Sequence, residues 1–139
     1  MELQYVNEIL AEDFNRLRAS VGWREIPIRQ ARIGLQNTAY QVAVLDGSTP
    51  IAMARVLWDG GYTAYLADVV VEPAYQKQGI ARTMIDRIFD HIRSGMEPGE
   101  RVTVHLTAAK GKEPFYLGLG FEENPTAESG AGMAKSILT

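Results

Sequence analysis

Ala64-Tyr65-Leu66-Ala67-Asp68-Val69-Val70-Val71, then Glu72-Pro73-Ala74-Tyr75-Gln76-Lys77-Gln78-Gly79, then Ile80-Ala81-Arg82-Thr83-Met84-Ile85-Asp86-Arg87-Ile88-Phe89: this stretch decides the fold. The first eight residues are almost continuously apolar and end in three valines. β-Branched side chains stiffen extended backbone, and such a run suits a strand covered on both faces. Pro73 ends it. From Ile80 the apolar period changes. Ile80, Met84, Ile85, Ile88, Phe89 and Ile92 share one helical face, while Arg82, Asp86, Arg87, Asp90 and Arg93 share the other. The stretch therefore reads as strand, short polar loop, amphipathic helix.

The loop Gln76-Lys77-Gln78-Gly79-Ile80-Ala81 runs straight into that helix. The first turn of a helix carries free backbone N–H groups and partial positive charge. Gly79 and Ala81 let a ligand approach the backbone, and Lys77 and Arg82 add positive charge. These features suit a phosphate or pyrophosphate. No Gly-Lys-Ser/Thr follows, and no Gly-x-Gly-x-x-Gly is present. By itself the hexapeptide reads first as an ordinary strand-to-helix loop with a glycine at a tight turn.

Outward from this centre, Glu2 to Val6 reads as an edge strand and Leu10 to Ser20 as a helix, with Leu10, Phe14, Leu17 and Val21 in helical register. A connection containing Trp23, Glu25 and Pro27 leads to a second helix over Ile28 to Leu35. Strands follow from Tyr40 and over Ile51 to Trp58, joined at Asp46-Gly47-Ser48. Asp59-Gly60-Gly61 turns the chain into the central strand. Beyond the central helix, Arg101 to Thr107 alternates as a strand. Glu113 to Leu117 begins a short helix, with Pro114 in its first turn. Phe121 enters another strand, and Met133 to Leu138 forms a last one. The whole chain, 1–139, reads as a single domain with no repeat or linker. The class is α/β, an α+β mixed sheet flanked by helices, with one right-handed parallel crossover between Ala64 and Thr107.

Gln76-x-x-Gly79-x-Ala81, placed after a valine strand and before an amphipathic helix, resembles the acyl-CoA site of the GNAT superfamily of N-acyltransferases. The order of elements resembles the GNAT fold, and Tyr116-Leu117-Gly118-Leu119-Gly120-Phe121 resembles that family's Tyr-x-x-x-Gly-Phe element. The resemblance implies an acetyl-CoA-dependent N-acetyltransferase. It implies that the backbone of Val69-Val70-Val71 pairs with the pantetheine arm. The pyrophosphate then lies on Gln76, Lys77, Gln78, Gly79, Ile80, Ala81 and Arg82. Lys110 and Phe115 fall in a second CoA-contacting segment, which lacks the family's frequent Asn. Tyr116 matches the tyrosine that points at the CoA sulfur and serves as general acid.

Acyl transfer to an amine needs a neutral nucleophile and a route for two protons. Without cysteine there is no thiolate to form an acyl-enzyme, so direct attack in a ternary complex is expected. Asp68 is the candidate base, a carboxylate inside an apolar strand where an unpaired charge is costly. The competing reading is an ion pair with Arg55. If Gly60-Gly61 form a two-residue turn, Arg55 lies opposite Leu66 and diagonal to Asp68. His105 could relay a proton or fill the core, and His91 reads as structural. Trp23 and Glu25 are candidates for the amine pocket, Glu25 as a partner for an ammonium group.

The 139 residues carry 46% hydrophobic and 22% charged side chains, no cysteine and net charge −3. Disulfides and cysteine-ligated zinc are excluded. The two histidines do not suggest a metal. Net acidity without a basic block argues against nucleic acid, and no apolar run matches a membrane span. A cytoplasmic protein acting on a small-molecule amine is expected, and a homodimer is compatible with this reading. A CoA-binding sensor without turnover, and a scaffold retaining only the fold, are the alternatives.

Overall fold

The computed structural model describes residues 2–139. The chain forms two compact units, one running through Leu106 and the other Thr107–Thr139.

The first unit is a five-stranded sheet in the order β1-β2-β3-β4-β5. Its strands are β1 (Leu3–Val6), β2 (Tyr40–Asp46), β3 (Thr49–Trp58), β4 (Thr63–Val71) and β5 (Thr103–His105). The first four are antiparallel neighbours and β5 runs parallel to β4, so the sheet is mixed, as its sequence implies. Helices α1 (Ala11–Ser20) and α2 (Ile28–Gln36) cover one face. Ala11, Phe14, Leu17, Ala31 and Leu35 bury there against Met53 and Val70. Helix α3 (Ile80–Ser94) lies on the other face, against β2, β3 and β4. It inserts the fully buried Met84, Ile85 and Ile88. Each buried side chain of this size contributes roughly 1.5–3 kcal/mol. The alternation along β3 shows the two sides: Met53 and Arg55 face α1 and α2, while Tyr40, opposite Val56, stacks on His91 of α3 with ring centroids 4.3 Å apart. His91 is thus a packing residue, as its sequence position implies.

Three sequence expectations are corrected. The β3–β4 turn is longer than Gly60-Gly61. Gly61 N–H donates to Asp59 Oδ1 and Trp58 Nε1–H to the Gly61 carbonyl, and Trp58 pairs with Ala64. Arg55 therefore sits opposite Ala67, not Leu66. Second, β5 pairs over only three residues, with Thr63, Ala64 and Tyr65. Three residues further on, β4 bulges at Asp68, and a bulge bends its strand. Third, residues 121–139 contain no strand. Met133, Ile137 and Leu138 are almost fully exposed. A strand is stabilised by pairing, and this stretch is interrupted by Gly130, Gly132 and a turn in which Thr126 N–H donates to the Ser129 carbonyl. The second unit's one helix is α4 (Glu113–Gly118).

Candidate active site

The central strand is broken at the aspartate. Met53 pairs with Val70 and Arg55 with Ala67, so two steps along β3 span three along β4. The extra length falls at Asp68 and Val69, and Asp68 has φ 53°. Aspartate tolerates this left-handed region better than most residues, yet it is uncommon for any side chain. A positive φ inside a strand needs something to hold it.

What holds it is a pair of arginines. Arg55 Nε donates to Asp68 Oδ2 at 2.7 Å, and Arg18 Nη1 donates to Asp68 Oδ1 at 2.7 Å. The Arg55–Asp68 pair expected from the sequence is present, reached through a different register. Arg55 Nη1 also donates to Thr38 Oγ1 at 2.9 Å. All three charged side chains are nearly buried: 14% of Arg18, 18% of Arg55 and 10% of Asp68 is exposed. Both carboxylate oxygens are thereby committed to guanidinium donors. Charge-assisted bonds at this length are among the stronger ones.

After Val71 a 3₁₀ turn, Pro73–Tyr75, leads into the loop. The Tyr75 hydroxyl donates to Asp46, whose carboxylate holds the phenol above its ordinary range. Gln76 folds back: its Nε2 donates to the Val71 carbonyl at 2.9 Å. Its side chain thus braces the end of β4. Lys77 and Gly79 both take positive φ, 64° and 81°. Gly79 is the residue before α3, no side chain caps that helix, and no acidic residue lies in its first turn. The first intrahelical bond is Thr83 N–H to the Gly79 carbonyl at 3.1 Å. The amides of Ile80, Ala81 and Arg82 precede it. A Cβ built on Gly79 meets nothing within 4 Å, so the approach is open. Lys77, Gln78 and Arg82 are exposed, whereas the Ile80 side chain is buried and offers only its amide. The residue types fit an anion on backbone N–H groups. Val69 and Val71 are half-buried; Val70 points its side chain into the α1–α2 core and offers only backbone.

Trp23 lies partly buried against the α1–α2 core, with the Arg18 guanidinium 5.3 Å from its ring. Glu25 is exposed two residues on. His105 is exposed on β5, in register with Tyr65, and does not fill the core. Leu57 lies opposite Tyr65 on the face that carries Arg55 and Ala67, and both are about two-fifths exposed (40% and 39%).

In the second unit Tyr116 lies on α4. Its ring meets Phe115 at 5.0 Å and Phe121 at 5.8 Å, both edge-on. Burial pushes its phenol above the ordinary range, so it keeps its proton through neutral and mildly alkaline pH. Lys110 is exposed and Phe115 half-buried. Gly111 N–H donates to Glu113 Oε1 at 2.8 Å, closing the loop onto α4.

A family model of the acetyltransferase (GNAT) domain matches residues 36–123. The chain belongs to the GNAT family. It is an acyl-CoA-dependent acetyltransferase, and enzymes of this fold use acetyl-CoA as co-substrate. Among curated relatives it is similar to the uncharacterized N-acetyltransferase ycf52 of Pyropia yezoensis, 28% identical over 122 residues that cover 85% of this chain and 68% of the relative. Histone acetyltransferase TAP1 of Glycine max is 31% identical over 130 residues, 85% of this chain and 54% of that protein. Serotonin N-acetyltransferase 2 of Oryza sativa subsp. japonica, a chloroplastic protein, is 31% identical over 129 residues, 88% and 61%. A structure from Staphylococcus aureus, described as a probable acetyltransferase, superposes with TM-score 0.85 at 26% identity, covering 97% of this chain and 100% of that one.

Within this GNAT chain the sequence alone did not point to Arg18. It sits in an exposed-looking helical pattern, fifty positions from the aspartate it holds. The only local sign is its spacing, one helical turn after Asn15, which is itself buried. Among the described residues no group of three or more His, Cys, Asp or Glu is placed to hold a metal ion. No helix among them is long and apolar enough to cross a membrane.

Proposed function

We propose that this acetyltransferase moves the acetyl group of acetyl-CoA to the primary amine of a small-molecule acceptor, by direct attack in a ternary complex. The observation that carries the reading is the break in the β3–β4 ladder at Asp68 and Val69, on the same strand–loop–helix unit as the open amides of α3. The two serve different ends of one ligand. The loop amides suit the pyrophosphate. A bulge leaves one residue's peptide groups outside the ladder, and an N–H freed in this way suits a thioester oxygen, which gains negative charge as the amine adds.

The amine nitrogen bonds to the thioester carbon, the carbon–sulfur bond breaks, and sulfur keeps its electron pair. The nitrogen loses a proton to solvent water, and the thiolate gains one. Tyr116 is the donor proposed for the thiolate, because its phenol is protonated at working pH. Asp68 is assigned to holding the bulge, since both its oxygens already accept from arginine. Glu25 is proposed to attract the acceptor's ammonium group. Trp23, Leu57 and Tyr65 offer apolar surface for its carbon skeleton. The name of the rice relative supports a small acceptor; the name of the soybean relative favours a protein one.

The test is thiol release from acetyl-CoA over a panel of small amines and lysine-containing peptides. Release driven by one or more small amines, and not by the peptides, is expected. Release by peptides alone overturns the small-acceptor assignment.

A further inference from the structure

So far Arg18 serves only as one of the two partners of Asp68, yet its guanidinium joins two pieces of the site. One side donates to Asp68 Oδ1 at 2.7 Å and the other, through Nε, to the Arg24 carbonyl at 2.9 Å. Between them the plane lies against the rings of Trp23 and Phe14, 5.3 and 5.7 Å from their centroids. The Arg18 carbonyl accepts from Val21 N–H at 3.2 Å and Trp23 N–H at 2.9 Å. One turn back, buried Asn15 grips Ile26 at both its N–H, 2.8 Å, and its carbonyl, 2.9 Å. Residues 21–26 are therefore fastened to α1 at both ends. Glu25 sits between two fastened neighbours with its carboxylate exposed.

We propose that Arg18 is a positioning residue: it sets the Trp23–Ile26 segment against the β4 bulge, so that an amine held by the segment meets an acyl group held at the bulge. The proposal rests on the acetyltransferase reading. Two simpler roles do not account for the geometry. A cap for the α1 turn needs only the bond to the Arg24 carbonyl. A counter-ion for Asp68 is already supplied by Arg55. Only a coupling between the two pieces uses both arms and the stack. It also requires arginine, since lysine offers a point charge without the planar fork or its stacking face. With so little of either side chain exposed, solvent and salt do little to loosen the joint.

Arg18→Lys and Asp68→Asn, each in the full chain, test it through three readouts: amide exchange at Trp23, KM for the amine, and acetyl-CoA affinity. Asp68→Asn lies outside the segment, yet it should speed exchange of the Trp23 amide about tenfold or more beyond the change at the Ile88 amide of α3, which reads the general loss of stability. Arg18→Lys should raise the amine KM about tenfold while acetyl-CoA affinity stays at the parent value, because the segment that holds the amine loses its fastening and the 76–82 loop does not, and one charge-assisted hydrogen bond is worth about tenfold. The double variant should be no worse than the poorer single one. Trp23 exchange in Asp68→Asn that rises no more than Ile88 exchange overturns the coupling. So does a parent-like amine KM in Arg18→Lys, which decides alone if Asp68→Asn does not fold. Faster exchange in a chain whose parent releases no thiol with any amine supports the coupling and sinks the acetyltransferase reading instead.

Discussion

Asp68→Asn is the sharpest probe of the bulge. Asparagine keeps the shape and the tolerance for positive φ, so the change removes charge and little else. It leaves two guanidinium groups facing a neutral amide in a site where only 10–18% of each side chain is exposed. Removing one partner of a buried pair costs about 3–5 kcal/mol, and partial exposure here favours the low end, about 3 kcal/mol. Unfolding entropy of about 2.1 cal/mol/K per residue gives roughly 0.3 kcal/mol/K for a chain of 139 residues. The expected fall in Tm is therefore about 10 °C. Calorimetry on Asp68→Asn, Arg55→Met and the double variant completes a cycle. The double variant should lose less than the two singles together, by about 1–3 kcal/mol. A Tm loss under about 2 °C in Asp68→Asn, or additive losses, would refute the argument that the arginines hold the bulge.

Gln76→Ala removes the bond to the Val71 carbonyl; at about 1 kcal/mol per hydrogen bond, acetyl-CoA Kd should rise roughly fivefold in a calorimetric titration, and an unchanged Kd would dissociate the brace from the site. Tyr116→Phe keeps the ring and should lower turnover by about ten- to a thousandfold with parent-like acetyl-CoA affinity; equal thiol release across the pH profile would make Tyr116 a packing residue. Its raised phenol also has a stability consequence. Folding favours the protonated form, so this contribution is fully present below the unfolded pKa near 10 and is lost as pH rises through the higher folded value. Tm measured from pH 9 to 11.5 should fall more steeply in the parent than in Tyr116→Phe, about 10 being where the curves part.

The strand, loop and helix between Ala64 and Ser94 were legible because each carries its own local pattern: a valine run, a glycine that must take positive φ, an apolar period. Helices α1 and α2 were legible within a residue or two for the same reason. The Arg55–Asp68 pair was reached by way of a wrong register. The longer Asp59 turn shifts the pairing by one residue, and the bulge shifts Asp68 back towards Arg55. Nothing in an apolar run marks one aspartate as left-handed, because its conformation is imposed by arginines from other elements. Arg18 was invisible for that reason. Residues 121–139 show the opposite case, where β-type composition at Met133–Leu138 lacks the pairing that would make it a strand.

The central claim, that the 76–82 loop carries the pyrophosphate of acetyl-CoA, is most directly tested by titrating acetyl-CoA into the parent and Gly79→Glu in a calorimeter. Gly79 has φ 81° and open space above it, so the new side chain costs about 1–2 kcal/mol of backbone strain and places a carboxylate where the anion would lie. The account predicts saturable binding by the parent and none by a folded Gly79→Glu. Equal acetyl-CoA affinity in the two folded proteins would contradict it.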